Sequence, residues 1–140
     1  MLKITKKDKK HLNKLLEDAT FKMVECEMNK GNIQETNTSW QGKTDKNGNL
    51  ELGTGTKLMQ YNTIYKVTEE EAPKGYVDEK YSCYIMVVKD DGTEKYNTYK
   101  DHKEWYSNVK IQYQSTYELT VTNHKGEITV EKKILKCGGS

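Results

Sequence analysis

The sequence predicts an all-β protein folded as a sandwich of two antiparallel sheets, and three observations support this prediction. Apolar and polar residues alternate along nearly every patterned segment, as expected for strands that bury one face. Short turns rich in Gly, Asn and Asp separate these segments at regular spacing. The chain has 10 Tyr and 1 Phe among its 140 residues, and Tyr suits strands whose side chains are half-buried.

The predicted strands follow one another along the chain with short connections. A Thr-Asp-Lys-Asn-Gly-Asn-Leu stretch at residues 44–50 is typical of a hairpin turn. Residues 11–18 could form a helical turn, but the segment is too short to change the fold class. In chain order, the predicted strands cover Leu2–Lys6, Ala19–Met23, Leu50–Leu52, residues 58–69, Tyr81–Val88 and a long final stretch from Val109 to Asn123.

Composition narrows the range of functions. Only 34% of the residues are hydrophobic and the mean hydropathy is −0.98, so the core must be thin. The net charge is +2 and every basic residue is Lys, so a nucleic-acid partner, which favours bidentate Arg, is not expected. No apolar run approaches the length of a membrane span, so membrane insertion is not expected either. The Cys and His residues show no ligand spacing, and we predict no metal and no cofactor.

Three predicted strands carry a polar residue where their alternation requires an apolar one. Lys6 continues the apolar face of the first strand, Glu69 that of the 58–69 strand, and Asn123 that of the final strand. Taken separately, they would be a Lys that reaches water, a solvated Glu and a turn Asn. Because buried polar groups need partners, we expect the three side chains to converge if their strands are neighbours.

An amine, a carboxylic acid and a carboxamide buried together can react with one another. Burial favours the neutral forms of an amine and an acid, and a neutral Lys6 amine could attack the side-chain amide carbon of Asn123. A protonated Glu69 could donate to the amide carbonyl and carry a proton to the departing ammonia. The predicted product is a Lys6–Asn123 isopeptide bond, formed once per molecule, so the chain is not predicted to be an enzyme. The alternative is an unreacted Lys6–Glu69 ion pair beside Asn123.

Several motifs resemble those of one protein family. Residues 65–76, Tyr-Lys-Val-Thr-Glu-Glu-Glu-Ala-Pro-Lys-Gly-Tyr, are similar to the pilin E-box, Y-x-L-x-E-T-x-A-P-x-G-Y, although Glu70 replaces its Thr. The opening residues 2–21, the 44–52 hairpin and the Thr-Val-Thr-Asn-His stretch at 120–124 also match family motifs. The chain therefore resembles CnaB-type (collagen-adhesin B-region) domains of Gram-positive surface adhesins and sortase-assembled pilins. The E-box identities are Tyr65, Glu69, Ala72, Pro73, Gly75 and Tyr76.

The resemblance implies an Ig-like, CnaB-type antiparallel β-sandwich over residues 1–125. It implies that Lys6, two residues before Asp8, is cross-linked to Asn123 with Glu69 as the acid partner. It also implies a stalk or spacer role in an extracellular, cell-wall-anchored protein whose signal and anchor lie outside this chain. Residues 126–140 would be a linker or the start of a following tandem domain, and neighbouring domains would be the partners.

A second function remains open for the segment at residues 93–108. Its aromatic residues could cap one end of the core as part of an elongated hairpin. As a binding loop, they could instead contact a host extracellular protein or glycan, which would make the chain a ligand-binding adhesin module. The aromatic residues concerned are Tyr96, Tyr99, Trp105 and Tyr106.

Overall fold

The computed structural model describes residues 1–30, 32–88 and 111–126, which form two packed β-sheets. One sheet has three strands in the order β4-β1-β8, and the other has five in the order β3-β2-β5-β6-β7. The predicted all-β sandwich is confirmed. Nothing helical in the described part of the chain is long and apolar enough to cross a membrane. The strands are β1 (Leu2–Asp8), β2 (Thr20–Asn29), β3 (Asn32–Lys43), β4 (Asn49–Leu52), β5 (Ile64–Glu71), β6 (Ser82–Val87), β7 (Ile111–Gln114) and β8 (Glu118–Asn123).

The core lies between the facing sides of the two sheets, where the period-two alternation places the apolar residues. Burial alternates along β1 and β8 residue by residue, and β5 buries the three side chains of its predicted inner face. Each fully buried side chain of this size contributes roughly 1.5–3 kcal/mol of hydrophobic free energy. The largest fully buried hydrophobic members of this core are Leu2, Ile4, Phe21, Met23, Tyr65, Val67, Ile85, Val87 and Val121.

Two of the strand pairs are parallel, which the sequence did not predict. β1 pairs with β8 and β6 pairs with β7 in parallel, whereas the other pairs are antiparallel. Parallel neighbours require a long crossover, and for β1 and β8 almost the whole domain forms that connection. Because the first and last described strands run the same way, the chain enters the sandwich at Leu2 and leaves it at the opposite end, beyond Asn123.

Some strand predictions were wrong in their bounds. The sequence predicted no strand at Asn32–Lys43, because β3 is an edge strand of mostly polar residues and lacks a clear apolar face. The strand predicted from residue 58 begins only at Ile64. The long final strand is divided at residues 115–117, because β7 belongs to one sheet and β8 to the other.

Other predictions lie outside the described residues. These include the 93–108 segment with Tyr96, Tyr99, Trp105 and Tyr106, and the linker or following domain expected at residues 126–140, of which only residue 126 is described. The division into a domain at 1–125 and a linker or following domain at 126–140 therefore stays a prediction.

Candidate isopeptide site

The structure brings Lys6, Glu69 and Asn123 together inside the sandwich. Their exposed fractions are 0%, 2% and 1%. The Lys6 Nζ atom lies 2.9 Å from Glu69 Oε2, and Asn123 Nδ2 donates a hydrogen bond of 3.0 Å to Glu69 Oε1. The side chains predicted from three separate strands thus form one buried cluster of an amine, a carboxyl group and a carboxamide.

The three side chains come from both sheets rather than from three neighbouring strands. Lys6 and Asn123 lie on the adjacent strands β1 and β8, and Asn123 is two positions beyond Val121, the register partner of Lys6. Both side chains therefore occupy the same inner face, diagonally across the pair. Glu69 lies on β5 of the facing sheet, so its carboxyl group reaches across the core.

The register of β1 also distinguishes Lys6 from the neighbouring lysines. Lys3 is exposed and Lys7 is only half-buried, because both lie on the outer face of the strand. Lys6 alone among the lysines of β1 is fully buried, as the alternation predicted. Its position makes it the amine that can reach Asn123 from this strand.

Burial changes the proton affinity of the Lys6 amine. Desolvation lowers the pKa of Lys6 below its ordinary value, while the close contact with the Glu69 carboxyl group and its charge act in the opposite direction. The aromatic ring of Phe21 has its centroid 5.9 Å from Nζ and adds to the apolar surroundings. The net effect is a smaller free-energy cost for deprotonating the amine, and the deprotonated amine is the nucleophilic form.

The carboxyl group of Glu69 contacts both nitrogens of the expected reaction. Oε2 faces the Lys6 amine and Oε1 accepts from the amide nitrogen of Asn123. The Nζ–Oε2 contact is close, but within the described residues neither atom makes a well-directed hydrogen bond. Asn123 Oδ1 also has no hydrogen-bond partner there, so the sequence-based expectation that Glu69 donates to the amide carbonyl is not met in this arrangement.

A backbone carbonyl completes the surroundings of Asn123. Val77 O accepts a second hydrogen bond from Asn123 Nδ2, at 3.2 Å. Because a carbonyl oxygen can only accept, this contact identifies the atom facing it as the amide nitrogen. Sequence analysis missed Val77, since a backbone carbonyl has no residue signature; the Ala-Pro-x-Gly-Tyr turn before it was the available signal.

The predicted hairpin at residues 44–50 positions the backbone of Lys6. Gly48 O accepts the Lys6 N–H at 2.8 Å, and Gly48 has φ +74°, which favours glycine. A Cβ at this position would lie 2.9 Å from Lys6 O and 2.9 Å from Leu15 Cβ. The glycine of this motif is therefore required both by the turn and by its close packing on β1, the strand that carries Lys6.

The site has no features of a metal centre. Among residues 1–30, 32–88 and 111–126, no three His, Cys, Asp or Glu side chains are grouped so that they could hold a metal ion.

A cleft of about 440 Å³ opens beside the ends of β1 and β8, and Asp8, Val77 and His124 contribute to its lining.

A two-sheet sandwich with a buried Lys–Glu–Asn cluster is the arrangement that the sequence motifs indicated. The chain is a member of the family described as the SpaA prealbumin-like fold domain, whose model matches residues 1–103. The resemblance to CnaB-type domains is thereby confirmed. The matched stretch includes Lys6 and Glu69 and ends before Asn123.

Solved structures share this fold at low sequence identity. The Bacillus anthracis TIE protein is 22% identical, with a TM-score of 0.51 over 89% of this chain and 17% of its own. A streptococcal ancillary pilin is 18% identical, with a TM-score of 0.54 over 91% of this chain and 29% of its own. The group B streptococcus pilus 2b backbone protein is 20% identical, with a TM-score of 0.52 over 89% of this chain and 40% of its own.

The chain thus spans less than half the length of each of these structures. At such identities the likeness establishes the fold alone. No curated protein matches the chain.

Proposed function

We propose that this chain is a spacer domain in the stalk of a Gram-positive surface adhesin or pilus protein, stabilised by an autocatalytic Lys6–Asn123 isopeptide bond. The observation that carries the proposal is the buried carboxyl group of Glu69, which contacts the attacking and the leaving nitrogen at once. The family and the pilin folds support the structural role.

The positions of the two Glu69 oxygens suggest a proton path. Oε2 first takes a proton from the Lys6 ammonium, which leaves a neutral amine and a neutral acid in the low-dielectric core. The amine lone pair attacks Cγ of Asn123, and the tetrahedral intermediate forms. Rotation of the Glu69 carboxyl group brings the acid proton to Nδ2, Glu69 protonates Nδ2, and the resulting carboxylate recovers a proton from the attacking nitrogen. The C–N bond to Nδ2 then breaks, one ammonia leaves, and Glu69 ends protonated beside the new amide.

The fixed arrangement of the three side chains accelerates this amide exchange, which is otherwise very slow. The three groups are fixed by strands from both sheets, and no solvent competes at exposed fractions of 2% or less. Well-oriented intramolecular reactions reach effective molarities of about 10⁵ M or more. The domain is accordingly its own substrate and reacts once, without turnover.

The topology explains why a bond at this place suits a stalk. The chain enters at Leu2 and leaves beyond Asn123 at the opposite end, so tension on the termini shears β1 against β8. A covalent bond between Lys6 and Asn123 joins these two strands directly. Force then passes through the bond, and the hydrogen bonds of the remaining strands are not loaded.

The same proposal implies where the domain lies in its protein, where the protein is located and which partners it has. Residues 1–125 would form one unit of an array, and residues 126–140 would lead to a following domain. The location would be extracellular and anchored to the cell wall, with neighbouring domains of the same protein as partners. Two of the similar structures are named as a pilus backbone protein and an ancillary pilin, which supports this setting.

Intact-mass spectrometry of the purified, reduced chain tests the bond. We expect a mass lower than the sequence mass, corrected for Met1, by one ammonia, and a Glu69→Ala variant that regains it. An unmodified mass for the wild type would refute the cross-link. Loss of ammonia in Glu69→Ala would show that Glu69 is dispensable.

The binding-module alternative at residues 93–108 stays a prediction, tested by trimming that segment and measuring adhesion.

A further inference from the structure

We propose that Asp8 and Tyr76 form a positioning pair for the cross-linking reaction. Their hydrogen bond holds the turn at residues 75–77 against β1, and the Val77 carbonyl of that turn orients the carboxamide of Asn123. This inference rests on the proposed isopeptide chemistry. It assigns a role to an acid and a phenol that do not touch the reacting amine.

Asp8 is a buried carboxylate whose two oxygens are both engaged. Its exposed fraction is 2%. Oδ2 accepts a hydrogen bond of 2.7 Å from the Tyr76 hydroxyl, and Oδ1 accepts the backbone N–H groups of Lys10 and His11 at 2.8 and 3.0 Å. The hydrogen bond from Tyr76 is the main reason that the pKa of Asp8 lies below its ordinary value. The ionised carboxylate is therefore a strong, fixed acceptor for the phenol.

The turn that carries Tyr76 is also joined to the end of β8. Val77 N donates to His124 O at 2.9 Å, and Gly126 N donates to Gly75 O at 2.7 Å. These backbone bonds fix the turn on the β8 side. The Tyr76–Asp8 hydrogen bond fixes it on the β1 side, between residues 68 positions apart in the chain. The turn is thus attached to both of the strands that the isopeptide bond would join.

The orientation of the Asn123 carboxamide depends on this attachment. Its Nδ2 donates one hydrogen to Glu69 Oε1 and the other to Val77 O. Two acceptors on one nitrogen set the rotation of the amide plane. Val77 O can only accept, so the carbonyl oxygen of Asn123 cannot replace the nitrogen there, whatever the protonation state of Glu69. The plane determines which face of Cγ the Lys6 amine meets. A misplacement of about 1 Å can cost a factor of roughly 10² in rate.

Loss of the Tyr76 hydroxyl should therefore slow the cross-linking reaction by more than its effect on the free energy of unfolding can explain. Tyr76→Phe removes one hydrogen bond and leaves the ring in place. The Val77 carbonyl would then sample more positions, and the carboxamide would spend less time in the reactive orientation. Tyr65→Phe is the control, because it also removes one tyrosine hydroxyl that makes a hydrogen bond. Tyr65 is fully buried, whereas Tyr76 is half-buried, and the Tyr65 hydroxyl accepts the Gln60 N–H, away from the cluster.

The experiment follows the reaction in newly made full-length chain. Cell-free synthesis is stopped with a translation inhibitor, samples are quenched in acidic denaturant over time, and intact mass reports the loss of ammonia. We expect Tyr76→Phe to react about 10- to 100-fold more slowly than wild type and Tyr65→Phe to react within about 3-fold. Adding Asp8→Asn to Tyr76→Phe should slow the reaction by less than the product of the two single effects, because both act through one hydrogen bond.

A second measurement separates positioning from folding. In a Lys6→Met background, where no cross-link can form, the urea midpoint should shift no more for Tyr76→Phe than for Tyr65→Phe. A wild-type rate for Tyr76→Phe, or a slowing fully explained by its unfolded fraction, would overturn the positioning role and leave the cross-link intact. A wild-type chain that never loses ammonia would overturn both proposals.

Discussion

Replacing Glu69 with Gln tests the cross-link through its effect on the free energy of unfolding. The substitution keeps the shape of the side chain and removes the carboxyl group that contacts both Lys6 Nζ and Asn123 Nδ2. Without a proton acceptor the amine cannot be deprotonated at this place, and the cross-link should not form. The chain then loses both the covalent bond and the counter-charge of a lysine with an exposed fraction of 0%.

The expected loss of stability has two parts. By analogy with disulfides, a cross-link that closes a loop of more than 100 residues removes roughly 5 kcal/mol of unfolded-state entropy. An unpaired buried charge costs a further ~3–5 kcal/mol when one partner of a buried pair is removed. Together these losses approach the whole stability of a typical domain, about 5–15 kcal/mol. A Lys6→Met/Glu69→Gln double variant removes the charge as well, so it should lose only the part due to the cross-link, about 5 kcal/mol.

Urea unfolding under reducing conditions measures both parts. The double variant should be more stable than Glu69→Gln alone, and the wild type should show a smaller m-value, because a cross-linked unfolded chain exposes less surface. Glu70→Gln is the matched control, since Glu70 is an exposed neighbour and should change stability by less than about 0.5 kcal/mol. A double variant within about 1 kcal/mol of wild type would refute the reasoning, because the cross-link would then contribute nothing.

Three further predictions concern residues around the site. Asp18→Gly should raise the free energy of unfolding by up to about 1 kcal/mol, because Asp18 has φ +67°; a loss of stability in urea would contradict this. Gly48→Ala should cost at least ~1 kcal/mol and slow ammonia loss, because its Cβ would press on Lys6 O; unchanged urea and mass data would contradict it. Because the folded pKa of Asp8 is depressed, its contribution is present above the unfolded value of about 3.9 and is lost as pH falls through the folded pKa. Thermal melts of Tyr76→Phe should therefore show a smaller acid-side decrease than wild type, and equal decreases would contradict the prediction.

Much of the candidate site could be predicted from local sequence pattern. Lys6, Glu69 and Asn123 each continue an apolar alternation, and all three proved to be buried on the inner face of their strands. The period of two makes this inference local, because the pleat alone decides which side of a strand a residue occupies. The turn at Gly48 could be predicted for a similar reason, since a hairpin turn often needs a residue with positive φ, and glycine adopts this conformation most easily.

Other parts of the fold could not be predicted this way. β3 has almost no apolar residues, because an edge strand forms its hydrogen bonds on one side and need not bury a continuous face. The division between β7 and β8 depends on which sheet each segment joins, and pairing partners far apart in sequence determine that choice. The parallel pairing of β1 with β8 has the same origin.

The atomic contacts of the Lys6–Glu69–Asn123 cluster also could not be predicted from the sequence pattern. Alternation placed Glu69 in the core, but its origin in the facing sheet and its contact with the amide nitrogen of Asn123 depend on how the two sheets pack. The Val77 carbonyl and the Asp8–Tyr76 hydrogen bond likewise appear only when a turn from one part of the chain lies against strands from two others.

The sequence by itself determined the fold class, the inner and outer faces of the main strands, and the three polar residues on the inner faces. These are consequences of local geometry and of the cost of burying polar groups. Only the tertiary structure decided which strands are neighbours, which atom of Asn123 faces Glu69, and which groups hold the amide in place. These depend on contacts between residues distant in the chain, and such contacts arise from the packing of the whole domain.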